Sequence, residues 1–227
     1  MMRPYHNKNI FQGSYIYHTT SHYAIIERKG DRMFFIYDDS FLTEEEIEAA
    51  EQQFWHKDIQ FSFGKNASPT IEGNTGVVDT KVGDVSYFTV NLQNDDPSAQ
   101  VFFDIVKKFT EKHGIEFDGF KRLKLNIMTP TVEGTQKTLY PHIDYNEPHY
   151  IFLYYPSDSD GDTVIYNERH KAGFATPSVT VNKRISPKRG AAFIVDGRHF
   201  HSITTPAEHP YRGVVNSNLI IKDWPTE

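Results

Sequence analysis

The chain of 227 residues has no cysteine, which excludes disulfides and thiolate metal sites and leaves only nitrogen and oxygen side chains to hold a metal. No segment approaches the roughly 20 apolar residues that span a bilayer. The opening MMRPYHNKNIFQGSYIY also lacks the continuous apolar stretch of a secretion signal. A soluble protein with a cytoplasmic address is the expectation. Excess positive charge is missing as well: the formal net charge is -6 and the pI about 6.0. No global field therefore draws the chain to phosphate backbones or anionic membranes, and nucleic acid is disfavoured as a partner. The one basic run, Lys183, Arg184, Lys188 and Arg189, reads as a solvated loop. What is abundant is aromatic material, with 17 Phe and 13 Tyr, ample to bury a core. At this length the expectation is one domain over 1–227, with 1–117 packing on a core at 118–222.

Residues 14–38 hold three short strand-like runs, SYIYHT, YAIIER and MFFIYD. FLTEEEIEAAEQQFW follows, in which Thr43 precedes Glu46 at capping-box spacing and acids crowd the first turn, where the helix dipole favours them. Ile47, Ala50, Phe54 and Trp55 give this helix its apolar stripe. Residues 57–83 have no sustained period and read as a long loop, and DVSYFTVNL reads as a strand. A second helix is predicted from about Pro97 to His113, with Val101, Phe102, Ile105, Val106 and Phe109 at helical spacing and Gly114 as its stop.

From Gly119 the pattern changes. FKRLKLNIM, TLYPHID, HYIFLYYP, DTVIYNE, SVTVNKR, GAAFIVDG and RGVVNSNLII are strand-like runs separated by turn residues, without alternating helices. They predict a mainly β sandwich or jelly roll with the two helices packed outside. No internal repeat or linker divides the chain.

PHID places His142 and Asp144 two residues apart on what reads as a strand end, so both side chains project to one face. DGRHFHS supplies a third candidate ligand in His201, 59 positions after His142, with His199 as its rival because both share strand parity. Two His and one carboxylate form the facial triad that suits non-haem Fe(II) and leaves coordination positions open. A closed structural zinc site would need a fourth protein ligand. The acidic run DSDGD at 158–162 lacks the spacing of an EF-hand loop and reads as a solvated turn, while His149 and His209 read as exposed.

The ordered set PHID, IFLYYP, DGDT, PKRGAAFIVDGRHFH and YRGVVNSNL resembles the Fe(II)- and 2-oxoglutarate-dependent dioxygenases, in particular their prolyl-hydroxylase-like branch and its phage-encoded members. It covers about 121–221, and FLTEEEIEAAEQQF is similar to that branch's leading helix. The resemblance implies a double-stranded β-helix fold and Fe(II), 2-oxoglutarate and O2 as cofactors, with ascorbate as a reductant. His142, Asp144 and His201 match the iron ligands, the pattern placing the third ligand after DGRxF. Arg212 matches the residue that binds the far carboxylate of 2-oxoglutarate, a task suited to its planar fork. Its spacing of 11 from His201 is one or two longer than usual in the family, with Pro206, Glu208 and Pro210 between. Tyr155 falls where relatives set a hydroxyl against the same carboxylate, and Asn126 where a side chain touches cosubstrate or product.

The implied reaction is decarboxylation of 2-oxoglutarate to succinate and carbon dioxide coupled to hydroxylation of a C–H bond. Asp144 fits this outcome, since halogenating relatives carry a small residue there. The branch points to a prolyl or other protein residue as substrate, with small molecules as the alternative and the host cytoplasm as the address of a phage-encoded member. Two other readings compete: a non-redox cupin-like metalloenzyme, which would not need Arg212, and a jelly-roll binding module without turnover.

Overall fold

A computed structural model describes residues 34–64, 85–131, 134–170 and 178–221, together with the backbone of 14–19 and 22–27. Much of the loop expected at 57–83 lies outside the described residues. Its first part carries a short strand that the sequence reading did not assign, Ser62–Gly64.

Among the described residues the strands form two antiparallel sheets. Ser14–Thr19 (β1), His22–Glu27 (β2), Phe35–Asp38 (β3), Ser62–Gly64 (β4), Tyr87–Leu92 (β5), Gly119–Met128 (β6) and His149–Tyr154 (β7) precede Thr163–Arg169 (β8) and Val181–Ile185 (β9). Ala192–Asp196 (β10), His199–Ile203 (β11) and Arg212–Ile220 (β12) complete the set. The larger sheet has the order β1-β2-β3-β10-β7-β12-β6-β5-β4 and the smaller β11-β8-β9. This is the mainly β double-stranded β-helix expected from the strand-rich second half.

Strand alternation divides the core in two. Ile151, Leu153, Phe193, Val195 and Val214 join Ile165 and Ile185 of the smaller sheet in the space between the sheets. Their neighbours Phe152, Tyr154, Ile194, Val215, Leu123 and Leu125 point outward into a second apolar cluster with the helices. β10 is buried on both faces, which explains why it reads AFIVD with scarcely a polar residue.

The helix over Glu44–Phe54 (α1) starts with the expected capping box: Thr43 Oγ1 accepts from Glu46 N, and Glu46 Oε2 accepts from Thr43 N at 2.7 Å. Ala50 and Phe54 are fully buried, but Trp55 sits past the last turn and is 41% exposed, outside the stripe that includes it by spacing. A 3₁₀ turn at Pro97–Ala99 leads into the helix over Gln100–His113 (α2), which ends on Gly114 in the left-handed conformation at φ 63°. Phe109 meets Phe41 and Phe152 edge-on, tying α2 to the sheet.

The segment TLYPHID departs from the expected strand. Only Thr138 and His142 make isolated bridges, to Thr204 and His201. Pro141 has no N–H to give a ladder, so pairing cannot run continuously through it. The segment still lies along β11, at the edge of the smaller sheet.

The charged runs lie at the surface, as expected, and are also paired. Arg189 reaches Glu44 and Glu51 of α1, and Lys188 reaches Asp39. Asp158 accepts from Arg189 N, Asp162 from Ser186 Oγ, and Asp160 from the backbone N–H groups of Ala207, Glu208 and His209. Asp160 thereby orders the loop that leads into Arg212. Among the described residues no helix is long and apolar enough to cross a membrane.

Asp38, at the end of β3 and 1% exposed, receives Lys112 Nζ at 2.8 Å and His113 Nε2 at 2.9 Å from the last turn of α2. Burial on its own would raise its pKa, but hydrogen bonds from His113, Lys112 and Ser40 prevail and hold it well below the usual carboxylate range. A carboxyl depressed in the folded state adds stability above its unfolded pKa near 4, and loses it as the pH falls. Urea midpoints measured from neutral to acidic pH are therefore expected to fall less steeply in Asp38→Asn than in the parent. Phe109→Ala is expected to lower stability by about 3–5 kcal/mol in the same assay.

Candidate metal centre and cosubstrate cavity

His142, Asp144 and His201 each direct one ligand atom to a common point, those atoms lying within 4.8 Å of one another. The backbone makes this meeting. His142 N donates to His201 O and His201 N donates to His142 O, both at 2.9 Å, and the imidazole centroids come to 4.4 Å. His142 Nδ1 lies 3.1 Å from Tyr140 O, and His201 Nδ1 lies 3.4 Å from His199 O. Such carbonyl partners fix the tautomer that frees Nε2 as a donor to a metal.

Asp144 is held from the larger sheet. Its Oδ2 accepts from Asn218 Nδ2 at 2.8 Å and pairs with Arg122 Nη2 at 2.9 Å, which leaves Oδ1 for an ion. Burial would raise the Asp144 pKa, but the Arg122 guanidinium and the hydrogen bond from Asn218 act against it and hold the carboxylate below its usual range. Burial pushes His201 down to about 3, with His142 adding to the effect, so this imidazole is neutral at physiological pH as a ligand must be.

His199 is turned elsewhere. Its Nδ1 lies 2.9 Å from Tyr166 O, and its Nε2 accepts from Arg169 Nε at 2.9 Å. The register of β11 on β8 shifts between the two residues, so that His199 lies opposite Arg169 and His201 opposite Ile165. His149, expected at the surface, is 1% exposed with Nδ1 on Glu147 O, because it begins β7 under Gly197. His209 is half-exposed beside Asp160.

A cavity of about 90 Å3 runs from the triad between the sheets. A water needs roughly 10–15 Å3 by this measure, so there is room for a small dicarboxylic acid. Arg212 lies in its wall, 1% exposed, with Nε on Gly161 O at 2.7 Å and Nη2 on Thr163 Oγ1 at 2.6 Å. Among the described residues no carboxylate pairs with it. A buried guanidinium with neutral partners costs free energy until an anion joins it. Gly161 permits the packing: a Cβ there would stand 2.9 Å from Arg212 Cδ and 2.8 Å from Thr204 O.

Tyr155 is fully buried behind this wall and is not itself a lining residue; its hydroxyl bonds Thr163 Oγ1 at 2.7 Å. It orients the hydroxyl that Arg212 uses. Asn126 lines the cavity, its Oδ1 accepting from Thr89 Oγ1 at 2.9 Å. The sequence reading missed Arg122, Asn218 and Thr163. The first had a signal: RLKLN alternates polar with apolar residues on a strand whose polar face turns toward the site.

No family model matches this chain, and no curated protein matches it. Solved structures share its fold. A prolyl hydroxylase from Trichoplax adhaerens, in complex with a hypoxia-inducible-factor peptide fragment, superposes with a TM-score of 0.55 at 13% identity, covering 82% of this chain and 83% of that one. A Pseudomonas putida prolyl-4-hydroxylase gives 0.54 at 9%, covering 83% and 93%. The epimerase SnoN, in complex with Fe3+, alpha-ketoglutarate and nogalamycin RO, gives 0.55 at 10%, covering 82% and 78%. Hydroxylases and an epimerase are matched equally well, so the likeness is to the fold and favours neither a branch nor a phage source.

In equilibrium dialysis with Co(II), His201→Ala is expected to abolish tight binding while His199→Ala retains it. Asn218→Ala should weaken binding by about 10–100-fold, the usual effect of removing a partner that orients a ligand.

Proposed function

We propose that the chain is an Fe(II)- and 2-oxoglutarate-dependent oxygenase that hydroxylates a substrate C–H bond. The observation that carries this reading is that one cavity holds both a two-His, one-carboxylate cluster and a buried arginine with no carboxylate partner among the described residues. The donor set suits Fe(II), since it is all nitrogen and oxygen and fills only three positions. A non-redox metalloenzyme on this fold would have no use for Arg212, and a binding module would have none for the triad.

His142, Asp144 and His201 would hold the ion, and Arg212 with Thr163 the far carboxylate of the keto acid. When bound, the iron and 2-oxoglutarate supply the chemistry that couples decarboxylation to succinate with oxidation of the substrate by O2. Arg212 anchors the cosubstrate by a charge-assisted pair strengthened by the dry surroundings. Thr163 accepts from Arg212 and is positioned by Tyr155, whose hydroxyl burial keeps protonated at physiological pH. Arg122 and Asn218 hold Asp144 so that one oxygen faces the ion. Asn126, pinned by Thr89, forms the wall beside the cosubstrate. Hydroxylation of a prolyl or other peptide residue is supported by the motif resemblance to the prolyl-hydroxylase-like branch, and ascorbate would serve to keep the iron reduced.

Anaerobic addition of Fe(II) and 2-oxoglutarate should give a weak visible charge-transfer absorption, and admission of air should release succinate. Neither signal, with metal binding intact, would reject the oxygenase reading. Arg212→Met is expected to raise the 2-oxoglutarate concentration needed for the absorption by at least roughly 100-fold, the scale of a lost buried charge pair.

A further inference from the structure

The cavity wall holds a second cation besides Arg212 that has no carboxylate partner among the described residues. Lys124 lies on β6 between Arg122 and Asn126 on the face that lines the cavity. Arg122 is committed to Asp144, and Asn126 to Thr89. Lys124 is partly buried and has no carboxylate partner among the described residues; its ammonium stands 5.9 Å from the ring centroid of Tyr87, another lining residue. Burial and the neighbouring Arg122 lower its pKa, while Asp144 acts in the opposite sense.

Register fixes where this cation lies along the sheet. On β12, Arg212 pairs with Met128, Val214 with Asn126, Asn216 with Lys124 and Asn218 with Arg122. Lys124 therefore stands between the level of Arg122, which grips Asp144, and that of Asn126, and is displaced along the strand from Arg212. Lys124 is thus a cation of the same wall additional to Arg212, four residues along β6 from the level at which Arg212 pairs. Charge points the same way. A divalent ion would more than neutralise Asp144, and Arg122, Lys124 and Arg212 add further positive charge in one wall. A dianionic keto acid offsets only part of this excess. In a chain of net charge -6, so concentrated a positive interior calls for a second anion.

We propose that Lys124 anchors an oxyanion on the substrate, a carboxylate or a phosphate, and so determines which carbon faces the metal. This rests on the oxygenase reading for the identity of the reaction, although the anion site itself does not. The substrate class is then an acidic small molecule or a peptide that carries an acidic group beside the oxidised residue, and neutral analogues lacking the oxyanion are poor substrates.

The test separates the two readings by using metal-free protein. Radiolabelled inorganic phosphate and acetate are each dialysed against it at mildly alkaline pH, where imidazoles are neutral. One of the probes is expected to bind, to bind at least roughly tenfold more weakly to Lys124→Met, and to recover in Lys124→Arg. Circular dichroism melts establish that each variant is folded, and the stronger probe identifies carboxylate or phosphate. Undiminished binding to folded Lys124→Met, or binding of neither probe to the parent, would overturn the proposal. Loss of the Fe(II) and 2-oxoglutarate absorption in the parent, with Lys124-dependent binding intact, would instead reject the oxygenase reading and keep the anion site.

Discussion

The site depends on one pair of backbone hydrogen bonds, the reciprocal contact of His142 with His201. It joins residues 59 positions apart and sets their imidazoles at 4.4 Å, before any ion contributes. Backbone pairing is stiffer than side-chain contact, so the ligands are placed by the fold itself. The short bridge follows from Pro141, which stops a longer ladder; beyond it Ile143 packs on the smaller sheet while Asp144 turns to Arg122 and Asn218 of the larger one.

The two sheets then divide the chemistry. The smaller sheet and its bridged edge carry both imidazoles, and the larger sheet carries the groups that manage charge: Arg122, Lys124, Asn218 and Arg212. The Asp144 carboxylate remains ionised despite burial because the Arg122 guanidinium and the Asn218 amide hold it. The same strands, on their opposite faces, hold the apolar cluster under α1 and α2. Loss of core packing there would loosen the wall that positions Arg212 and Arg122.

The loop before β12 shows how a spacing that looks irregular becomes a fixed geometry. Three successive backbone N–H groups, at Ala207, Glu208 and His209, converge on Asp160, so the added residues are folded onto the acidic turn. Arg212 emerges from that loop against Gly161, the one residue type that leaves room for its side chain. The acidic turn, partly exposed, thus braces the backbone on either side of Arg212.

The sequence by itself determined the strand-rich second half, the capping box of α1, the Gly114 stop of α2 and the candidate ligands. These rest on local rules: residue period, cap chemistry and ligand type. Tertiary structure decided the rest. The parity shared by His199 and His201 is a local property, and a register shift against β8 separated them, one toward Arg169 and one toward the cluster. Tyr155 moved behind Thr163, and Trp55 to the surface, because packing between distant strands sets which side a boundary residue takes. Arg122 and Lys124 alternate visibly in the sequence, but only the tertiary structure shows that one grips Asp144 and the other has no carboxylate partner among the described residues. Charge partners are chosen across the fold, and no spacing along the chain encodes them.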